Sequence, residues 1–185
     1  MPRAGLSADL VVAAAAELAD ERGFDGVTLA LLAERLGVRP PSLYAHVRGL
    51  DDLRARLAAR GAEQLAVRLE AAAAGLAGGE ALAAVANAYR AYAHAHPGAY
   101  AALQRASGAD APDGEAAARA VAVVLAVLSG YGLRGDPALH ATRAIRAALH
   151  GFVLLEAQEG FGLPVAPDAS FATLVSLLDS GLHAA

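Results

Sequence analysis

The sequence predicts an all-α chain of nine helices arranged in two parts, and three observations carry that prediction. Of 185 residues, 51 are alanine, the strongest helix former and a weak strand former. Apolar residues recur at spacings of three and four, the helical period. Glycine, proline and capping residues cut the chain into short helical blocks before about residue 50 and longer ones after it. A chain of this length buries a proper core without disulfide or metal staples.

The first helix is predicted over residues 7–23, capped by Ser7, with Leu10, Val11, Ala14 and Leu18 on one face and Gly23 as its stop. Thr28 caps the second, in which Leu29, Leu32, Ala33 and Leu36 recur until Gly37. Pro41 biases Pro40 away from the α region, so a third, short helix is expected from Pro41 to about Val47. After Gly49, Asp51 and Asp52 suit the first turn of a fourth helix that reaches about Gly75. A fifth carries Leu82, Val85, Ala86 and Tyr89 to His96, and a sixth covers about 99–106. The small, polar stretch 107–114 is the best candidate for a mobile loop. A seventh helix follows over about 115–130. Asp136 and Pro137 are read as cap and first-turn proline of an eighth that runs to about Glu159, and a ninth occupies 168–183 after a Gly/Pro loop. The division expected from these lengths is 1–49 and 50–185.

Composition removes several chemistries. The chain has no cysteine, so disulfide scaffolds, thiolate nucleophiles and zinc-thiolate or iron-sulfur sites are excluded. A net charge of −4, with all 15 basic residues arginine, argues against coating by nucleic acid through bulk positive charge and leaves only local patches. Asp9, Glu17, Asp20 and Glu21 interrupt any export-signal pattern. The longest nearly uncharged run, 120–133, is too short for a bilayer and holds Gly130 and Gly132. The expectation is a soluble, cytoplasmic protein with no cofactor and no membrane partner.

The second and third helices, joined through Gly37, have the lengths and the tight glycine turn of a helix-turn-helix, which an ordinary helical hairpin also shares. In such a motif the short third helix offers its exposed face to the major groove while Leu43 and Val47 anchor the other face. Arg39, Pro41 and Ser42 stand at its leading end. Arg39 suits a fork onto guanine O6 and N7, the alternatives being a phosphate contact or a solvated arginine. Ser42 suits a base edge or phosphate, and Pro41 a thymine methyl.

The run Val27-Thr28-Leu29-Ala30-Leu31-Leu32-Ala33-Glu34-Arg35-Leu36-Gly37-Val38, followed by Ser42-Leu43-Tyr44-Ala45-His46-Val47 and Leu53, closely resembles the N-terminal DNA-binding region of TetR-family transcriptional regulators. The likeness spans about residues 7–57. It implies an all-helical homodimer that mostly represses, bound to a palindromic double-stranded DNA operator until a small-molecule effector enters the C-terminal part. It further implies backbone contacts by Tyr44 and His46, whose alternatives are core packing and a plain surface histidine, and by Thr28 beside its capping role. The lysine that usually opens the fourth helix is replaced by Leu50, so Arg48 is expected to take its place, with Arg54 and Arg56 tuning affinity. Residues 1–56 hold seven arginines and eight acids, which makes the favourable field local and the binding salt-sensitive.

Residues 148–156 and the loop Gly160-Phe161-Gly162-Leu163-Pro164 resemble the family's C-terminal domain type named for a Trp-His-Gly motif, with Leu149 where the tryptophan stands. That likeness implies dimerisation by the last two helices. Leu154, Leu155, Leu174, Leu177, Leu178 and Gly181 give those helices more apolar surface than one buried stripe needs. Tyr89, Tyr92, Tyr100, Tyr131, His150, Phe152 and Phe161 are the candidate lining of an apolar or aromatic effector's pocket, core packing being the alternative for each. Two other classes compete: a metal enzyme, disfavoured because no Glu-x-x-His pair occurs on two helices, and a ligand-binding bundle that no longer binds DNA.

Overall fold

The computed structural model describes residues 5–105 and 114–184, and among these there are eight α-helices, two 3-10 segments and no strand. In chain order they are α1 (Ala8–Arg22), a 3-10 turn (Phe24–Gly26), α2 (Leu29–Leu36), a 3-10 helix (Pro40–Ala45), α3 (Leu50–Ala73), α4 (Gly78–Ala95), α5 (Pro97–Arg105), α6 (Gly114–Ser129), α7 (Gly135–Ala157) and α8 (Pro167–His183). The eight α-helices together with the Pro40–Ala45 helix make the nine expected from the sequence.

Local chemistry sets the early boundaries. The Ser7 hydroxyl accepts the Leu10 N–H at 3.2 Å and Thr28 Oγ1 accepts that of Leu31 at 3.2 Å, so each cap satisfies a donor that the first helical turn cannot. At the end of α2, Gly37 adopts φ 65°, ψ 32°. The N–H groups of Gly37 and Val38 then donate to the Glu34 and Ala33 carbonyls, both at 3.0 Å. A side chain at residue 37 would strain that left-handed turn.

Three expectations are corrected. The third helix is a 3-10 helix that begins at Pro40, one residue earlier than expected. Neither proline has an N–H, so the first donor available is Ser42, which bonds back three residues to the Arg39 carbonyl at 2.9 Å and tightens the turn. The eighth predicted helix is capped by Arg134 in extended conformation, not by Asp136, which falls inside the first turn and acts there only on the helix dipole. Pro167, rather than Asp168, opens the last helix. The loop expected over 107–114 lies, apart from Gly114, outside the described residues.

The chain forms two compact units, Met1–Gln64 with His96–Gly114, and Leu65–Ala95 with Glu115–Ala185. In the first, α1 packs against α2 and α5. Val11, Ala15, Leu18, Leu32, Leu43 and Leu53 are buried together there. In the second, α4, α7 and α8 pack pairwise. Arg119 on α6 forks onto Glu70 of α3 at 2.8 and 2.9 Å and lowers the pKa of that carboxyl. No helix among the described residues is long and apolar enough to cross a membrane.

Candidate nucleic-acid interface

The Pro40–Ala45 helix is anchored on one side and open on the other. Leu43 (0% exposed) and Val47 (1%) are buried in the core of the first unit, as the sequence predicts. Arg39, Pro40, Pro41, Ser42, Tyr44 and Ala45 are exposed, and His46 is half-buried. Tyr44, 60% exposed, takes no part in core packing. Six exposed residues, four before the buried Leu43 and two after it, form an exposed edge along this short anchored helix and its cap. Thr28 is exposed at the start of α2. Its hydroxyl is engaged in the cap.

The arginines beside this edge divide into two kinds. Arg48 has its side chain 88% exposed and is held by Asp52, which accepts its backbone N–H at 3.0 Å, its Nη2 at 3.0 Å and its Nε at 3.3 Å. Arg56 Nε also donates to Asp52, at 3.0 Å. The hydrogen bonds from Arg48, and the charge of Arg56 beside them, hold the Asp52 carboxyl below its usual range. Arg54 instead stacks its guanidinium 5.4 Å from the centre of the Phe24 ring, and its Nε is buried without a partner. The structure therefore assigns Arg54 a packing contact within the first unit, where the sequence had grouped it with Arg56. The sequence marks Asp52 as a dipole carboxylate; its spacing of four from both Arg48 and Arg56 is the signal that also brings it within reach of both.

The second unit contains six of the seven residues expected to meet an effector. Tyr89 and Tyr92 are buried on α4. Phe152 and Phe161 stack at 4.8 Å, and Phe152 meets Phe171 edge-on at 5.0 Å. Tyr131 donates to Asp179 and packs its ring 4.9 Å from His183, at a separate place on α8, and burial raises its pKa. His150 is half-buried, and burial, reinforced by Arg146, lowers its pKa. Tyr100 belongs to the first unit. It is buried on α5. On the outer faces of α7 and α8, Leu154, Leu155, Leu177 and Gly181 are exposed, and Leu174 and Leu178 half-exposed. No group of three or more metal-ligating side chains is assembled among the described residues.

A helix-turn-helix with an exposed, core-anchored second element, in a chain of two all-helical units, defines a DNA-binding protein of the bacterial regulator type. Residues 11–57 match the family model of the bacterial regulatory proteins of the tetR family, and residues 82–178 match that of the tetracyclin repressor-like C-terminal domain. The chain is 42% identical over 182 residues to the HTH-type transcriptional regulator Rv0681 of Mycobacterium tuberculosis, covering 97% of this chain and 83% of that one. Among solved structures, a Rhodococcus sp. RHA1 protein superposes with TM-score 0.82 at 23% identity over 99% of both chains. TetR-Q116A of Acinetobacter baumannii in complex with minocycline does so with TM-score 0.73 at 26% identity over 96% of both. The chain belongs to the TetR family of transcriptional regulators.

Proposed function

We propose that the protein is a homodimeric repressor that leaves a palindromic operator when a small apolar or aromatic molecule binds. Residues 1–49 read DNA, and residues 50–185 receive the effector and form the dimer. The observation that carries this reading is the Pro40–Ala45 helix, buried at Leu43 and exposed from Arg39 to Ser42 and at Tyr44. In this reading Arg39 forks onto guanine, Pro41 and Ser42 meet neighbouring base edges, and Thr28, Tyr44, His46 and Arg48 contact phosphate. A two-fold pair of such heads about 34–36 Å apart engages two half-sites one duplex turn apart. The minocycline complex of the Acinetobacter relative supports a small-molecule effector. Tyr89, Tyr92, Tyr131, His150, Phe152 and Phe161 supply the aromatic side chains of the effector region. Leu149, 3% exposed, fills with apolar bulk the place that tryptophan holds in the Trp-His-Gly domain type.

Selection of duplexes from a random library tests the reading directly. Tyr44→Phe is expected to weaken binding equally on every recovered sequence. Arg39→Ala is expected to relax preference at one base pair per half-site, by about 1–3 kcal/mol. Recovery of sequences without a repeated half-site, or equal losses for both variants on all duplexes, overturns it.

The dimer has its own test. Nothing lies within 4 Å of a Cβ built at Gly181, which is exposed in the single chain. Gly181→Leu is therefore expected to leave the protomer fold intact, which circular dichroism checks, and sedimentation is expected to show monomers, because bulk added on this exposed face meets a second copy. A fully dimeric Gly181→Leu protein excludes this face.

A further inference from the structure

We propose that Asp52 is a positioning residue for DNA binding, which fixes both the backbone and the guanidinium of Arg48 so that a phosphate meets a preformed cation. The inference rests on the DNA-binding reading above and adds to it the residue that orders the contact.

Asp52 is the inner member of the group. Its side chain is 11% exposed, against 88% for Arg48 and 43% for Arg56. Its two oxygens accept four N–H groups, three from Arg48 and one from Arg56. A carboxylate offers about four lone-pair directions, so it is saturated. Of the five N–H donors of a guanidinium, Arg48 gives Nε and one from Nη2 to Asp52, and the side chain as a whole stays exposed. Arg48 follows Val47, whose side chain is buried at the end of the reading helix, and precedes Gly49 at φ 153°. The bond from the Arg48 N–H to Asp52 thus ties that connection to the first turn of α3. Arg48, Gly49, Leu50, Asp51, Asp52 and Ala55 line one shared concavity. A long arginine side chain loses its rotamer freedom when it binds; here that ordering occurs on folding, before DNA arrives.

Charge and positioning predict opposite signs, and this makes the inference testable. By Coulomb's law alone, Asp52→Asn removes a negative charge beside the phosphates and tightens binding. Positioning predicts that it weakens binding, because asparagine keeps one accepting oxygen while its nitrogen only donates, so at most two of the four bonds survive. The probe is a 30-base-pair mixed-sequence duplex at low salt, which needs no operator because phosphate contacts carry no sequence information. Asp52→Asn is expected to bind about tenfold more weakly than wild type. Arg48→Ala is expected to lose about tenfold in the wild-type background and under threefold in the Asp52→Asn background, with the salt slope falling by about one only in the first case. Arg48→Lys, which keeps the charge but cannot fork onto Asp52, is expected to weaken binding severalfold and serves if Asp52→Asn fails to fold.

Binding by Asp52→Asn equal to or tighter than wild type overturns the inference, as does wild-type affinity in Arg48→Lys. Failure of the wild-type protein to bind any duplex overturns the DNA-binding reading itself, and the two failures are separate.

Discussion

Gly98→Ala is expected to destabilise the first unit by about 3 kcal/mol, lowering Tm by roughly 6–12 °C for a chain of this size. A Cβ built at Gly98 lies 2.2 Å from the backbone carbon of Ala19 and 2.4 Å from its oxygen, so α1 and α5 cross at a separation that leaves no room for a side chain at residue 98. The clash is with main-chain atoms, which no rotamer change relieves. Alanine's better helix propensity, about 1 kcal/mol over glycine, offsets only part of the cost. The crossing is also where Asp20 on α1 accepts the Gly98 N–H at 2.8 Å and the Ala99 N–H at 3.4 Å. Those are donors of the first turn of α5, so a helix pushed away also loses its cap. Gly151→Ala on α7 is the control, since nothing lies within 4 Å of its added carbon. It is expected to gain about 0.5–1 kcal/mol. Thermal melts of the two variants against wild type decide the matter, and a Gly98→Ala protein as stable as wild type rules out the close crossing.

The same crossing explains what the sequence reveals and what it hides. Ser7, Thr28 and Gly37 act within a few residues of their own helix, and the 3.6-residue period of Leu29, Leu32, Ala33 and Leu36 points to a core without reference to distant chain. Leu43 and Val47 are legible for the same reason. The Pro40–Pro41 pair is local as well; a proline at N1 is the favoured start of an α-helix, and what tightened the turn was the second missing N–H beside it. Asp20 and Gly98, by contrast, are 78 residues apart. Nothing in the periodicity of α5 says that it returns to α1, because its alanines are equally compatible with any partner. Arg105, which forks onto Asp25 at 2.6 and 2.7 Å from the same helix, is an exposed pair that reads as solvated charge in the sequence. The aromatic residues show the limit from the other side: their chemistry suits a pocket, but which of them are buried, as Tyr89, Tyr92, Tyr100 and Phe152 are, follows from packing that composition does not encode.

In the second unit, Arg90→Met is expected to cost roughly 3 kcal/mol, the usual loss when one partner of a buried ion pair is removed. Arg90 and Glu156 have side chains only 16% and 13% exposed, and the guanidinium lies over Phe171 at 4.8 Å and Phe152 at 5.7 Å. Arg90 Nε donates to Glu156 Oε2 at 2.9 Å, Nη2 bonds the other oxygen of Glu156 as well as Asp168 at 2.7 Å, and His94 Nε2 meets Glu156 at 2.7 Å. Removing Arg90 leaves a largely buried carboxylate with only His94 beside it. The double variant Arg90→Met, Glu156→Leu takes the stranded charge away and is expected to recover most of the loss. If it melts no higher than Arg90→Met, the cost lies in lost packing over the two rings rather than in the charge. Acid provides an independent check. The hydrogen bonds from Arg90, with the lesser help of His94, lower the pKa of Glu156 from its ordinary 4.5. A depressed carboxylate pKa means that the unfolded chain takes up the proton first as pH falls. The pair's contribution is therefore whole above about pH 4.5 and declines as pH drops from there through the folded value. Glu156→Gln, which cannot lose that contribution because it never carries the charge, is expected to give a shallower fall in Tm below that pH than wild type.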